Sequence, residues 1–379
     1  MRVLLTPVPL PRHIFPMLPL ARALRARGDD TAFAGPASLG AVLAAEDVQT
    51  ITAGPEMFPD MVKEVISRTG VEPGAGAIDV ETEAETLAAA RIDLAYEDVL
   101  EAAHEWQPDL IVGDAYDYLG PMVASALNVP FGTVTIGQDL RPEQKAAARN
   151  KTIVRYLERG LAERRPVFVA DICPPALQVD GWQQPEGWLP IRPEAHHAPD
   201  APALVRSSRG AGRRPRVLLT FGTCLSDPWL LNPLATEITK LDVDLSVTLG
   251  PIARAEDFEV DSEHVRFEPF RPPAELLGDV DAVVCHAGAG TTYAALSAGI
   301  PLVVMPQGAD QFAVADRAFA TGAALCLLPG ETSPHHIRAA LTLILTEPAA
   351  RDNAATVADQ IAAMPTAAEV AESIAEFLR

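Results

Sequence analysis

The sequence predicts an α/β protein: two Rossmann-like, doubly wound domains facing each other across a cleft. Three observations predict it. The pentapeptide RVLLT occurs twice, at Arg2–Thr6 and again at Arg216–Thr220, as if the chain began a second time beyond its midpoint. Each copy is followed by alternating strand-like and helix-like stretches, the pattern of βαβ units and a parallel sheet. The 379 residues are enough for two domains of ordinary size, each with its own core.

From the first copy, Val3–Leu5 reads as a short buried strand. A proline-rich loop follows, then a helix with Met17, Leu20, Ala21 and Leu24 at helical spacing. Pro16 and Pro19 suit its first turn, where a missing N–H costs little, and Gly28 suits its end. Thr31–Ala34 begins the next strand. Leu110–Gly113 and Phe131–Thr135 are further strands with a helix between them. The segment 55–91 reads as irregular, then helical. "RPVFVADICPP" reads as the last strand of this half, running into a proline-rich exit, and the aperiodic span 194–215 reads as an interdomain linker. Beyond the second copy, strands are expected at Leu245–Leu249, Val265–Phe267, Ala282–Cys285 and Leu302–Met305. The last helices are expected near Pro334–Thr346 and Ala368–Leu378.

Composition narrows the partners. A formal charge of −21 argues against nucleic acid and anionic membranes, both of which need a basic surface. Cys173, Cys224, Cys285 and Cys326 lie far apart with no CxxC pair, which points away from zinc or a disulfide framework and toward a reducing cytoplasm. The N-terminal apolar run is broken by prolines and lacks the cleavage site of a signal peptide. Ala282–Ala309 carries no charged side chain and is long enough to span a bilayer. Its prolines and clustered glycines instead read as strand, loop, helix and strand.

The richest motif is "VVCHAGAGTTYAALSAGIPLVVMPQGADQ", Val283–Gln311. A strand ends at Cys285, a small-residue loop follows, and Thr291 and Thr292 open a helix. Glycines admit close backbone approach, and a helix N-terminus favours an anion. The spacing is neither GxGxxG nor a P-loop, so a nicotinamide cofactor is not favoured. A phosphate-binding helix start and a plain packed βα turn both fit. "DVD" occurs at Asp242–Asp244 and Asp279–Asp281, the second at the strand end away from this loop, and neither reads as a metal site.

This stretch resembles the donor-binding signature of the GT-B nucleotide-sugar glycosyltransferases, in their actinomycete natural-product (antibiotic) branch. "LLTFGT" (Leu218–Thr223) resembles the first loop of that family's donor domain, "DICPPALQ" (Asp171–Gln178) its exit from the acceptor domain, and "RPPAELLGDVDAVVCHAGAGTT" its base-contacting loop and phosphate site. The resemblance implies an acceptor-binding domain over 1–205, a linker at 206–215 and a donor-binding domain over 216–365. It leaves 366–379 as a C-terminal helix free to pack back on the first domain. It implies that His286 bonds the pyrophosphate, with Gly288, Gly290, Thr291 and Thr292 supplying N–H and hydroxyl donors. Thr223 would meet the diphosphate from the other side, and Phe270 and Arg271 would flank the base. Asp310 and Gln311 would hold sugar hydroxyls, with a helix cap as the rival reading of Asp310.

By the same resemblance His13, in the loop after the first strand, is the catalytic base, and Asp114, at the end of another strand, is the acid that orients it. Asp117 is the competing carboxylate, read as a helix cap. The family usually has Gly before that His; here the residue is Arg12. The expected activity is metal-independent, inverting transfer of a sugar, a deoxysugar from a TDP-sugar, to a hydroxyl of a hydrophobic aglycone. No cofactor is expected beyond the nucleotide-sugar co-substrate, and a homodimer is left open. A nucleotide-sugar epimerase and a catalytically silent nucleotide-sugar-binding helper are the alternatives.

Overall fold

The computed structural model describes residues 1–71, 79–198, 204, 212–222, 227–250, 253–260, 263–269, 271–330 and 333–378. Its strands form two all-parallel sheets. The first contains β1 (Arg2–Leu5), β2 (Asp30–Gly35), β3 (Gln49–Thr52), β4 (Leu110–Asp114), β5 (Phe131–Val134), β6 (Phe168–Asp171) and β7 (Trp188–Pro190), in the order β3-β2-β1-β4-β5-β6-β7. The second contains β8 (Arg216–Thr220), β9 (Asp244–Thr248), β10 (Val265–Glu268), β11 (Ala282–Cys285), β12 (Leu302–Val304) and β13 (Ala324–Cys326), in the order β10-β9-β8-β11-β12-β13. Both copies of the repeated pentapeptide are therefore central strands. β1 lies between β2 and β4, and β8 lies between β9 and β11. In each sheet the strand order reverses there, which opens a crevice at the carboxyl ends.

The strands are apolar on both faces because helices cover both. Val3 and Leu5 join one cluster while Leu4 joins another. In β8, Leu218 faces the first of these clusters, whereas Val217 and Leu219 face a third. One core runs through both halves: Val3 and Leu5 belong to the same contiguous cluster as Val283 and Leu302. The helix Ala367–Phe377, capped by Thr366 and Glu369, puts Val370 and Ile374 into that cluster against the helix Leu18–Ala26.

The expected elements are present, with additions and one correction. β6 is not the last strand of its sheet, because β7 pairs beyond it. The three residues of β7 are too few to show alternation. β3 is mostly exposed and polar, and β13 is also three residues long, so neither carries a strand signal. The helix Pro348–Ala362 was unexpected too. The uncharged run resolves into β11, a loop, the helix Ala289–Ser297 and β12. Among the described residues no helix is long and apolar enough to cross a membrane. The described start of the 194–215 span is held down: Ala195 is buried, and the His196 ring stacks on Phe15 at 4.0 Å. Much of the rest of that span lies outside the described residues.

Candidate active site

β1 leaves its sheet through Thr6, whose N–H still bonds Val112 O at 2.9 Å. Leu10 is extended, and Pro11 starts the short helix Pro11–Ile14, where its missing N–H is harmless. Pro16 and Pro19 each begin a further turn, so the proline-rich stretch is three short helical pieces and not one helix. This folding carries His13 back over the end of β4. Its side chain is wholly buried, and Nδ1 lies 2.9 Å from Asp114 Oδ1. The other Asp114 oxygen accepts from the Val8 N–H at 2.7 Å, and Oδ1 also accepts from the Tyr116 N–H at 2.8 Å. A carboxylate bonded this way stays ionised: burial pushes its pKa up, but His13, the Val8 N–H and Arg91 outweigh that and hold it low. Burial is the larger influence on His13 and lowers its pKa below 6.5, against the opposing pull of Asp114. The imidazole is then neutral at pH 7. With Nδ1–H given to Asp114, Nε2 carries the lone pair, and it is buried with no partner among the described residues.

Arg12 leaves the His13–Asp114 contact in place, and its charge adds to the lowering of the His13 pKa. It is exposed, while its charge is felt by Glu83 and Tyr116. Asp117 is committed elsewhere. It accepts from Thr6 Oγ1 at 2.6 Å, from Arg91 Nη1 at 2.6 Å, and from the N–H groups of Leu119 and Gly120 at the start of the helix Gly120–Leu127. Arg91 also donates to the carbonyls of Thr6 and Pro7. Arg91, Asp117 and Thr6 thus brace the loop that carries the histidine. Sequence reading missed Arg91 and Thr6. The available signal was a lone arginine in the apolar run "LAAARIDLA".

The second crevice is built differently. The strand β11 ends at Cys285, and His286 turns back over β8, with its ring 5.9 Å from that of Phe221. A Cβ on Gly288 would lie 2.6 Å from His286 Nε2, and one on Gly222 would lie 3.1 Å from Cε1. Both glycines make room for the imidazole. Between them Ala287 takes φ 64°, a left-handed conformation uncommon for alanine. Among the described residues His286 has no carboxylate partner; burial lowers its pKa to about 4, and a backbone hydrogen bond to Thr220 opposes that only in part. Its Nδ1 is shut off from solvent and has no partner among the described residues.

Ala289, Gly290 and Thr291 are the first three residues of the helix, so no helical carbonyl precedes them and their N–H groups face the loop. The Thr292 N–H is used within the helix, bonding Gly288 O at 2.9 Å, so Thr292 has only its hydroxyl for a ligand. Its hydroxyl is buried and unpartnered among the described residues. Asp310 stands at the N-cap position of the helix Gln311–Ala320, yet its exposed side chain makes no capping bond, which removes the rival reading. Gln311 spends its amide oxygen on the N–H groups of Gln307 and Gly308, at 2.8 and 3.2 Å, which leaves only Nε2 for a ligand. Arg271 is paired with Glu268 and Glu275. Thr223 and Phe270 lie outside the described residues.

The two crevices meet. A Cβ on Gly137, in the first half, would stand 3.3 Å from Ala289 Cβ and 3.6 Å from Asp310 Oδ2. Tyr293 OH, on the helix of the second crevice, donates to Cys173 Sγ of the first half at 3.3 Å. Asp171 and Gln178, the ends of "DICPPALQ", are tied by a 2.8 Å hydrogen bond. Asp242, Asp279 and Asp281 are instead paired with arginines at the far ends of the strands. Among the described residues no three His, Cys, Asp or Glu side chains cluster as metal ligands would.

Residues 232–377 match the family of the erythromycin biosynthesis protein CIII-like C-terminal domain. The chain is 31% identical to the L-demethylnoviosyl transferase of Streptomyces niveus, over 99% of this chain and 98% of that one. It is 29% identical to the elloramycin glycosyltransferase of Streptomyces olivaceus, over 98% and 96%. Among solved structures it resembles the glycosyltransferase SsfS6 of Streptomyces sp. SF2575 complexed with thymidine diphosphate, with a TM-score of 0.81, 26% identity and 99% of each chain covered. The chain therefore belongs to the GT-B glycosyltransferases of actinomycete natural-product biosynthesis.

Proposed function

We propose that the protein is an inverting glycosyltransferase that needs no metal and moves a deoxysugar from a TDP-sugar to a hydroxyl of a hydrophobic aglycone. The observation that carries this reading is the buried His13–Asp114 pair, with an unpartnered Nε2 at the switch point of the first sheet. In the step proposed, Nε2 takes the acceptor hydroxyl proton as that oxygen attacks the anomeric carbon. The bond from that carbon to the diphosphate breaks on the opposite face, and its electron pair leaves with TDP. Asp114 supports the imidazolium that forms. A single displacement inverts the anomeric centre.

The leaving diphosphate would be met by the N-terminus of the helix Ala289–Ser297, by His286, and by the Thr291 and Thr292 hydroxyls. Arriving phosphate charge would raise the pKa of His286 and strengthen that bond. Asp310 and the Gln311 amide would hold the sugar. The relative named for L-demethylnoviosyl transfer and the neighbour complexed with thymidine diphosphate support the donor class. The epimerase alternative needs further acid–base carboxylates at the sugar. A silent helper has no use for a neutral imidazole held by a buried carboxylate.

Thermal unfolding with TDP in excess chelator tests the donor site. Stabilisation of about 2.7 kcal/mol is expected at a hundred times Kd. Stabilisation that appears only with added magnesium or manganese would overturn the metal-independent reading. The anomeric coupling constants of donor and product test inversion, and retained configuration would refute the single displacement.

A further inference from the structure

We propose that Glu83 is a specificity-determining residue that reads the acceptor, accepting a hydrogen bond from a second polar hydrogen beside the hydroxyl being glycosylated. The acceptor class is then a diol- or catechol-like compound and not a lone alcohol. This rests on the transferase reading above.

Two side chains, Gln144 and Tyr116, connect Glu83 to the base. The Tyr116 ring stands edge-on to His13 at 5.5 Å, Tyr116 OH lies 3.5 Å from Gln144 Nε2, and that amide donates to both Glu83 oxygens at 3.0 and 3.3 Å. The arrangement is fixed from both sides. Gln144 sits in the first turn of the helix Pro142–Glu158, where its amide oxygen accepts the Arg141 N–H at 3.2 Å, so its nitrogen must face Glu83. Asp79 caps the helix Val80–Ala84 through the N–H groups of Glu81 and Thr82 and sets the position of Glu83. A carboxylate has about four acceptor sites. Among the described residues Glu83 uses them on one amide, although it is half-buried. Burial and the charge of Asp310 across the cleft raise its pKa, while Gln144 and Arg12 act against them. A carboxylate short of donors, joined to the base through Gln144 and Tyr116, suits a neutral hydroxyl. The nearby Arg12 charge makes a cationic group unnecessary.

The test uses the full-length protein saturated with TDP and two probes, 7-hydroxycoumarin and 6,7-dihydroxycoumarin, with Kd measured by fluorescence. The wild type should bind the dihydroxy probe about tenfold more tightly, the effect of one hydrogen bond to a charged group. Glu83→Gln should shrink that preference to about twofold or less, with TDP affinity unchanged as the check on folding. Equal binding of the two probes by the wild type, binding of neither, or a preference that survives in Glu83→Gln would each overturn the assignment. Failure of the wild type to bind TDP would instead overturn the transferase reading beneath it, and a separate titration detects that.

Discussion

Both sheets begin with the same five residues and set their central strand between equivalent neighbours, yet the two crevices hold their histidines in opposite ways. In the first, the neighbouring strand β4 ends in Asp114, and the histidine arrives from the loop after β1 to meet it. In the second, the neighbouring strand β11 ends in Cys285 and supplies the histidine itself. The loop after β8 offers Gly222, which only makes room. One imidazole is held by a carboxylate, with its second nitrogen buried and without a partner among the described residues. The other has no counter-charge among the described residues and stands at a helix N-terminus. Topology places a crevice in each sheet, and the last residue of the neighbouring strand decides whether a carboxylate stands there.

The largest expected effect breaks the first crevice. His13→Ala should lower kcat by roughly 10²–10⁴, the range of a lost general base, while TDP affinity stays put. Normal turnover by that variant would refute the assigned base. Next comes the brace behind it. Arg91 is 5% exposed in its pair with Asp117, so Arg91→Met should cost about 3–5 kcal/mol in urea unfolding by stranding a buried carboxylate. Adding Asp117→Asn should recover part of that loss. A single variant as stable as wild type would show that the loop stands without its brace.

A smaller effect breaks the second crevice. His286→Ala should weaken TDP binding by about 1.5–3 kcal/mol, the value of a hydrogen bond to a charged group, measured by titration calorimetry. Unchanged affinity would remove His286 from the diphosphate site.

These contrasts were unevenly legible in the sequence. The strands next to each switch point could be read because they are buried on both faces and spell continuous apolar runs, as in "VLL" and "AVVC". β7 and β13 could not, since three residues at a sheet edge carry neither a run nor an alternation. His13, Asp114 and His286 could be picked out by their place after strands and by family resemblance. The brace and the Glu83–Gln144–Tyr116 chain could not, because each joins segments far apart in sequence, with Gln144 and Glu83 61 positions apart. Pattern reading is blind to such pairs. The Asp310 question, cap or ligand, needed the observation that its side chain makes no capping bond.

The smallest expected effect is on pH dependence, and it separates the two histidines by sign and by readout. His13 has its pKa lowered below 6.5 by burial, with Asp114 in partial opposition, and Asp114 itself is held below 3.8. In the proposed mechanism the active form is neutral His13 beside ionised Asp114, so kcat/KM should fall only on an acid limb with its midpoint below 6.5. Between pH 7 and 8 it should change by less than about 1.5-fold. His286 has its pKa lowered to about 4 and plays no part in that limb. Stability behaves otherwise. In the unfolded chain both histidines bind a proton near 6.5, and in the folded chain both resist it. Their contribution is therefore fully present above about pH 6.5 and declines as pH falls toward the folded values. His13→Ala and His286→Ala should each make urea stability less sensitive to pH below 6.5, while His286→Ala leaves the midpoint of the activity limb where it was. A limb that moved with His286→Ala would mean that the two crevices titrate as one site.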